Sequence, residues 1–536
     1  MERLARLFAT LLRWSLELCA LGLVLAALYV SLGRELVPLV AEYRGEVESK
    51  VQATLGLPVT IGSLEGRWGG MAPLLLAHDV QVGEGASAVR LDQVRVVPDV
   101  LASVLARQVR VARLELEGLQ LSLLQGADGQ WSLEGLPKRA GSAPLDPAQW
   151  LAALQVVAQL SLLDSQLTLE PQGEAPLTFT YASLSLRNGV GRQRLDGRLT
   201  LPDGQPLAMS LRTRLRPEKW QEAEAELYLS LPQSDWARWL PASLTRDWHV
   251  ERLQAGGEFW LSWAKGGVQR AVARLHAPEL DAAYAQRKPV KVQDLALTAY
   301  FNRTAEGFQL LLDSLAVSFG EARWGEAQLG LSYQAASADS EEKWRLTADR
   351  LNLTPLTPAI EALAPLPETL AALLKGLQPQ GVLRNLQLAY RPQAGADQRV
   401  QFAANLEQIS VDAYRGAPAV ENVSGSISGD LGQGELRLAT ENFALHLDHL
   451  FPKPWHYQKA NARLTWRLDD QAFTLISPYL QVVGEEGKIA GDFLIRLMRD
   501  PGTEDYMDLR VGLREGDAHY TEKYLPTLAD GLSPEL

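Results

Sequence analysis

One pattern recurs through most of this chain and limits what it can fold into. Leu114 and Leu116, then Leu119, Leu121 and Leu123, alternate with Glu115, Glu117, Gln120 and Ser122. Leu177, Phe179 and Tyr181 alternate with Thr178 and Thr180, and Ala223, Ala225, Leu227, Leu229 and Leu231 alternate with Glu222, Glu224, Glu226, Tyr228 and Ser230. The same alternation returns at 295–301, 315–319, 329–333, 464–468, 489–497 and 509–513. Successive side chains of a strand point to opposite faces, so strict alternation describes a sheet with one apolar and one wet face. Turn formers separate the runs, at Pro202-Asp203-Gly204, Lys265-Gly266-Gly267, Ala305-Glu306-Gly307 and Leu468-Asp469-Asp470. The predicted class is mainly β and antiparallel, with roughly twenty-five strands and few short helices.

An apolar sheet face must be covered. Helical patterns are scarce: Asp146 to Leu160, Ser234 to Leu240, Thr357 to Leu377 and Asp517 to Tyr524. They are too few to cover so many strands. The sheet therefore closes on itself as a sandwich or barrel, or leaves its apolar face lining a groove, and periodicity does not choose between them. The candidate for that face is the apolar parity: Leu177, Phe179, Tyr181, Leu227, Leu229, Leu261, Trp263, Leu297, Phe301, Val317, Phe319, Leu464, Trp466, Phe493 and Ile495.

The N-terminus differs. Trp14 to Leu32 holds one charge, Glu17, and its nineteen residues reach roughly 28 Å as a helix, the depth of a hydrocarbon core. Arg3, Arg6 and Arg13 precede it, which places the N-terminus in the cytoplasm. A cleaved signal would want an A-x-A-like exit, and Ala27-Leu28-Tyr29 does not fit. A lipoprotein signal would want small residues before Cys19, where Leu16-Glu17-Leu18 stands; a buried core helix is the remaining alternative. The segments are then a cytoplasmic tail over 1–13, a transmembrane anchor over 14–32, a membrane-proximal amphipathic helix with the first strands over 33–82, and a repetitive periplasmic sheet over 83–536. In the amphipathic helix Tyr43, Val47, Val51 and Leu55 recur every four residues.

Other classes have little support. Lys and Arg number 52 against 64 Asp and Glu, a net charge of −12, so no basic face offers itself to nucleic acid. Cys19 is the single cysteine and excludes disulfides and cysteine-ligated zinc from the remainder. No phosphate loop, zinc-protease motif or nucleophile elbow occurs, and no cofactor is expected. His446, Asp448, His449 and His456 cluster, but a strand through Phe443 to Leu447 puts His446 and Asp448 on one face and His449 on the other. Fourteen tryptophans leave sugar stacking as an alternative to core packing.

A weak repeat runs through Ser234 to Phe259 and Thr354 to Leu383: short helix, Leu-Pro, then a glycine-led strand. Asp517 to Pro526 looks like a third start that stops before its strand, so the chain is expected to continue in something longer. The apolar span, the amphipathic helix, Ala53-Thr54-Leu55-Gly56-Leu57-Pro58-Val59, Leu64 to Trp68, Pro73 and Leu76-Ala77-His78-Asp79-Val80 resemble the opening of the YhdP proteins, members of the AsmA-like group of the Gram-negative envelope. The resemblance continues through Asp235-Trp236 to Tyr524-Leu525-Pro526 and covers the N-terminal portion of that family. It implies a bridge-like transporter: an elongated, twisted β-groove, anchored in the inner membrane, carrying phospholipid toward the outer membrane and supporting its barrier. The implied partners are phospholipid, the inner membrane and other envelope proteins, with no nucleic acid and no catalysis. Exposing about thirty acyl methylenes to water would cost on the order of 20 kcal/mol at ~0.8 kcal/mol each, which an apolar wall removes. A structural or adhesive β-protein, and an envelope hydrolase, are the rival readings.

Overall fold

The computed structural model describes residues 2–55, 57–69, 72–83, 88–107, 110–126, 131–133, 157–172, 176–189, 191–216, 219, 222–239, 247–285, 289–319, 322–338, 340–354, 368–500 and 502–528. The chain divides into two units, Met1–Pro232 with Trp260–Gly267, and Gln233–Phe259 with Val268–Leu536.

The first unit opens with α1 (Glu2–Leu36), a 3₁₀ turn (Val37–Tyr43) and α2 (Arg44–Leu55). Strands β1 (Val59–Gly69), β2 (Ala72–Val82) and β3 (Val89–Pro98) follow, then α3 (Val100–Ala106), β4 (Val111–Glu117), β5 (Gln120–Gln125) and β6 (Trp131–Leu133). Next come β7 (Val157–Glu170), β8 (Leu177–Gly189), β9 (Arg192–Thr200), β10 (Pro206–Arg214) and β11 (Glu224–Asp235). Neighbouring strands pair antiparallel except that β4 and β5 both lie parallel to β7. Sequence periodicity leads to an all-antiparallel expectation, but parallel pairing needs a crossover of a dozen residues or more, and residues 126–156 supply that length.

The division between units runs through β11 and β12 (Trp248–Ala264). The second unit continues with β13 (Gly267–Tyr284), β14 (Val290–Arg303), β15 (Gly307–Phe319), β16 (Ala322–Gln334) and β17 (Lys343–Asn352). After α4 (Glu368–Leu377) come β18 (Gln380–Tyr390), β19 (Val400–Val411), β20 (Ala419–Asp430), β21 (Gln433–His446) and β22 (Trp455–Leu468). The order ends with β23 (Ala472–Gly484), β24 (Gly487–Met498), β25 (Tyr506–Arg514) and a 3₁₀ turn (Ala518–Tyr524). From β13 to β25 each strand pairs antiparallel with the next.

Several local expectations change. The helix anticipated from Asp146 to Leu160 gives way to strand by Val157, and its remainder lies outside the described residues. Of Thr357 to Leu377, Glu368–Leu377 is helical as expected and the remainder lies outside the described residues. Of Ser234 to Leu240, Ser234 and Asp235 end β11 and a 3₁₀ turn covers Trp236–Trp239. Strand β21 ends at His446, so Asp448 and His449 stand in a turn rather than on strand faces, and His446 Nε2 meets the Phe451 carbonyl at 3.0 Å.

Helix α2 serves the sheet directly. Val47 and Val51 pack on the cluster of Val59, Ile61, Leu64, Ala77, Val80 and Leu91. Its polar side chains engage the outward backbone of β1: the Ile61 N–H donates to Glu48 Oε1 at 2.8 Å, and Arg44 Nη1 donates to the Gly62 carbonyl at 2.8 Å. Backbone groups that an edge strand would leave open are thereby satisfied.

Candidate functional site: an apolar face

Opposed residues in a ladder share a face, so the register traces rows across strands. In the first unit one row runs Leu64, Ala77, Val94, Leu116, Leu162, Leu184, Gly197, Met209, Leu229. In the second unit another runs Ala271, Phe301, Leu310, Leu331, Leu346, Leu388, Phe402, Gly429, Gly434, Trp466, Leu475, Ile495, Met507. No member of either row is polar. The opposite face carries ion pairs: Asp196 accepts from Ser210 Oγ at 2.8 Å and sits 2.8 Å from Arg194, and Arg214 lies 3.2 Å from Glu224. Burial opposes ionisation of Asp196, yet the Ser210 hydroxyl and Arg194 together hold its carboxyl below the usual value.

The rows stay on one face because the strands carry bulges. Asp164, Tyr181, Asp294, Ser314, Asn385, Gln408, Asn422 and Asn442 all have positive φ, between 45° and 62°. Register shifts surround them on β7, β8, β14, β15, β18, β19, β20 and β21. Each extra residue flips the alternation, so Leu177 and Phe179 share a face with Leu184 and Leu186, and Leu310 and Leu312 with Val317 and Phe319. A bulge also bends its strand. In the second unit the deepest burial on the apolar face adjoins the bulges, in the cluster of Val423, Leu438, Phe443, Tyr457, Ala460, Ala462 and Val482. Bulge residues Asp294, Ser314, Gln408 and Asn442 are exposed. The exposed bulge side chains thus lie away from the apolar face.

Away from the bulges that face is half-buried. Phe301, Leu310, Leu331, Leu346, Leu388, Phe402, Trp466, Leu475 and Ile495 are all intermediate, a degree of exposure that a closed sandwich core does not leave. Trp466 lies over Gly434, which leaves that glycine no room for a side chain, and reaches Phe402 in a stack of 6.1 Å. Its Nε1 donates to the Asp430 carbonyl at 3.1 Å. The cavity of about 760 Å³ nearby is not an apolar one: Ser428, Glu435, Thr465 and Ile476, which pair in one row of the opposite parity, line it with Asp430, Gln433 and Arg467.

The sequence-derived residues distribute as follows. Leu177 faces Leu169, Phe179 faces Leu167, and Leu227 and Leu229 face Leu211 and Met209. Trp260 meets Tyr228 at 5.5 Å on the polar side, so by alternation Leu261 and Trp263 share the side of Leu227 and Leu229. Leu297 faces Leu275, Phe301 faces Leu310, and Val317 and Phe319 face Trp324 and Ala322. Leu464 faces Leu436, Trp466 faces Gly434, Phe493 faces Leu509 and Ile495 faces Met507. Tyr181 is the exception. It occupies the bulge itself, outside the register and 70% exposed, because strict alternation was carried one residue too far.

Sequence periodicity missed one polar cluster. Tyr457, on the apolar face, meets Tyr524 of the last 3₁₀ turn, hydroxyl to hydroxyl at 3.1 Å. Tyr524 also donates to Glu486, whose Oε1 lies 3.0 Å from Lys523 Nζ. Trp455 Nε1 donates to the Lys523 carbonyl at 2.9 Å. Glu486 is 3% exposed, and burial would raise its pKa, but the Tyr524 hydroxyl and the Lys523 ammonium hold it below the ordinary value. Burial pushes the Tyr457 phenol up to about 12. The signal was present in Asp517 to Tyr524, but the partner Glu486 lies in a hairpin that alternation treats as solvent.

Among the described residues no group of three or more His, Cys, Asp or Glu could hold a metal ion. Among them one helix, α1, is long and apolar enough to cross a membrane; Leu18 and Leu23 stand out to solvent and Cys19 is free and exposed.

Comparison with known proteins gives two matches of one kind. The family described as YhdP protein matches residues 1–534. The Intermembrane phospholipid transporter YhdP of Escherichia coli (strain K12) is 23% identical over 514 residues, covering 94% of this chain and 39% of that protein. The chain thus spans about two-fifths of the length of that curated relative. No solved structure matches.

Proposed function

We propose that this chain, which belongs to the YhdP family, holds the acyl chains of phospholipid against its apolar face and moves them between the inner and outer membranes. Helix α1 anchors it in the inner membrane with the N-terminus in the cytoplasm, and the strands stand in the periplasm. The observation that carries the reading is the unbroken apolar row of the second unit, which stays half-buried from Phe301 to Ile495. Such a wall lets methylenes slide without meeting water, and nothing in it binds a headgroup tightly enough to stop the slide. The name of the bacterial relative supports phospholipid as the cargo. Outer-membrane barrier integrity then follows from supply. The polar face, laced with Arg and Glu pairs, keeps the exterior soluble.

A photo-crosslinking amino acid at Phe179 or Ile495 should capture phospholipid in cells, and one at Thr178 or Arg496, one residue away on the other face, should not. Equal capture at both parities removes the conduit reading. A structural or adhesive β-protein predicts no lipid at any of these positions.

A further inference from the structure

Helix α3 is out of place for a soluble protein. Its seven residues, Val100 to Ala106, carry no charge, and Leu101, Val104 and Leu105 are 74%, 70% and 79% exposed. Asp99 caps it, Oδ1 accepting from the Ala102 N–H at 2.9 Å, and Arg107 closes it at φ 51°. Ser103 ties it to Arg110, whose N–H donates to the Ser103 hydroxyl at 2.8 Å. The helix is thus fixed with its leucines outward. Exposed apolar groups of this size mark contact surfaces.

The ladder says what they contact. Trp68, at the end of β1, pairs with Pro73, and Leu75 pairs with Val96, two residues before Pro98 and α3. The same Trp68 meets Tyr29 of α1 at 5.2 Å and lies over Gly33. From Gly33 the chain runs along β1 toward Ile61, with Val37 against Gly66 and Arg44 bonded to Gly62, so the rest of α1 projects beyond the Trp68 end. Helix α3 therefore stands at the strand ends from which the spanning helix leaves. Trp68 and Tyr29 sit where an aromatic belt belongs, and Arg107 and Arg110, both exposed, follow the apolar residues.

We infer that α3 is a second membrane contact, a short foot that lies in the headgroup boundary of the bilayer spanned by α1, with Leu101, Val104 and Leu105 in the acyl region and Arg107 and Arg110 among anionic headgroups. It rests on the reading of α1 as the anchor. The foot fixes the tilt of the sheet against the bilayer, which a single spanning helix leaves free to swivel.

The test uses the full chain with Cys19→Ser, reconstituted in vesicles of phosphatidylethanolamine and phosphatidylglycerol. An environment-sensitive fluorophore is attached at Leu105→Cys, Leu23→Cys or Arg212→Cys, the last an exposed control on the polar face of β10. Spin-labelled lipids then act as quenchers. A blue-shifted Leu105 signal quenched by a label near the headgroup, with Arg212 unquenched, supports the foot. Arg107→Glu with Arg110→Glu should weaken that quenching only when phosphatidylglycerol is present. An unquenched Leu105 beside a Leu23 quenched by a deep label overturns the foot and leaves the anchor standing, and points instead to a protein partner. An unquenched Leu23 overturns the anchor separately, whatever Leu105 shows.

Discussion

Replacing Lys523 by methionine should release the last 3₁₀ turn from the sheet. The substitution keeps the length and apolar stem of the side chain but removes the ammonium 3.0 Å from Glu486. That carboxylate is 3% exposed, so after the change its charge rests on hydrogen bonds from the Tyr524 hydroxyl and its own backbone N–H, with no countercharge beside it. Leaving half of a buried ion pair costs about 3–5 kcal/mol. At ~1.4 kcal/mol per tenfold, the docked segment should open at least ~100-fold more often. Two amides report it, Asp517 N–H on the Glu486 carbonyl (3.0 Å) and Leu528 N–H on the Leu450 carbonyl (3.1 Å), and hydrogen exchange reads both. The pH dependence has a definite sign. Glu486 is held below its ordinary value near 4.5, so in the native chain its stabilisation is complete above that pH and is lost as pH falls through the depressed value. Without the ammonium, burial raises the carboxyl instead and the sign reverses: the variant's turn should stay docked at low pH, where Glu486 is protonated, and open as pH rises. Adding Glu486→Gln to Lys523→Met should restore most of the protection, because a neutral amide needs no countercharge. Exchange in Lys523→Met that matches the native chain at every pH, or a double variant as open as the sum of the singles, refutes the reasoning.

Two further outcomes follow from the apolar face and its bulges. Leu346→Arg, midway along the second row and half-buried, should cost about 1 kcal/mol because the long stem can lie along the face and carry its charge outward, whereas a closed core would lose ~4 kcal/mol or more. Urea unfolding measures this, and lipid capture at Ile495 should fall in the same variant. Asn442→Val forces a β-branched residue to φ 55° and should destabilise by roughly 1–2 kcal/mol, while Asn442→Gly should be nearly neutral. Equal effects of valine and glycine in thermal unfolding would count against a left-handed requirement at that bulge.

How much of this was legible in the sequence depends on distance along the strand. Within a run of five residues alternation is reliable, so Leu227 with Leu229 and Phe493 with Ile495 fall on one face. Across a bulge it is not, which is why Tyr181 was misplaced after Phe179. The correction was latent in composition: Asp164, Asp294, Asn385, Asn422 and Asn442 are residues that tolerate the left-handed region, standing inside otherwise strand-like stretches. Which strand pairs with which was not legible between β4 and β7, because a parallel partner is chosen by tertiary packing rather than by the turn. Helix α3 was missed for a related reason. Seven residues are too few to show helical periodicity, and its leucines face outward, where the apolar pattern carries no information about a core. The edge contacts of α2 were also hidden, since Arg44 and Glu48 look like ordinary surface charges until a strand backbone lies beside them.

The bulges bear on how such a chain can lengthen. Because the bend is written into each bulged strand by one residue, curvature belongs to the hairpins that carry a bulge and not to the sheet as a whole. A hairpin duplicated with its Asn or Asp arrives already curved and with its parity already switched. Its apolar side meets its neighbour's without any compensating substitution elsewhere. A closed barrel admits no such insertion, since its strand number and shear are tied together. Span would then be a quantity that selection can adjust one hairpin at a time, with the spacing between two boundaries as the gauge.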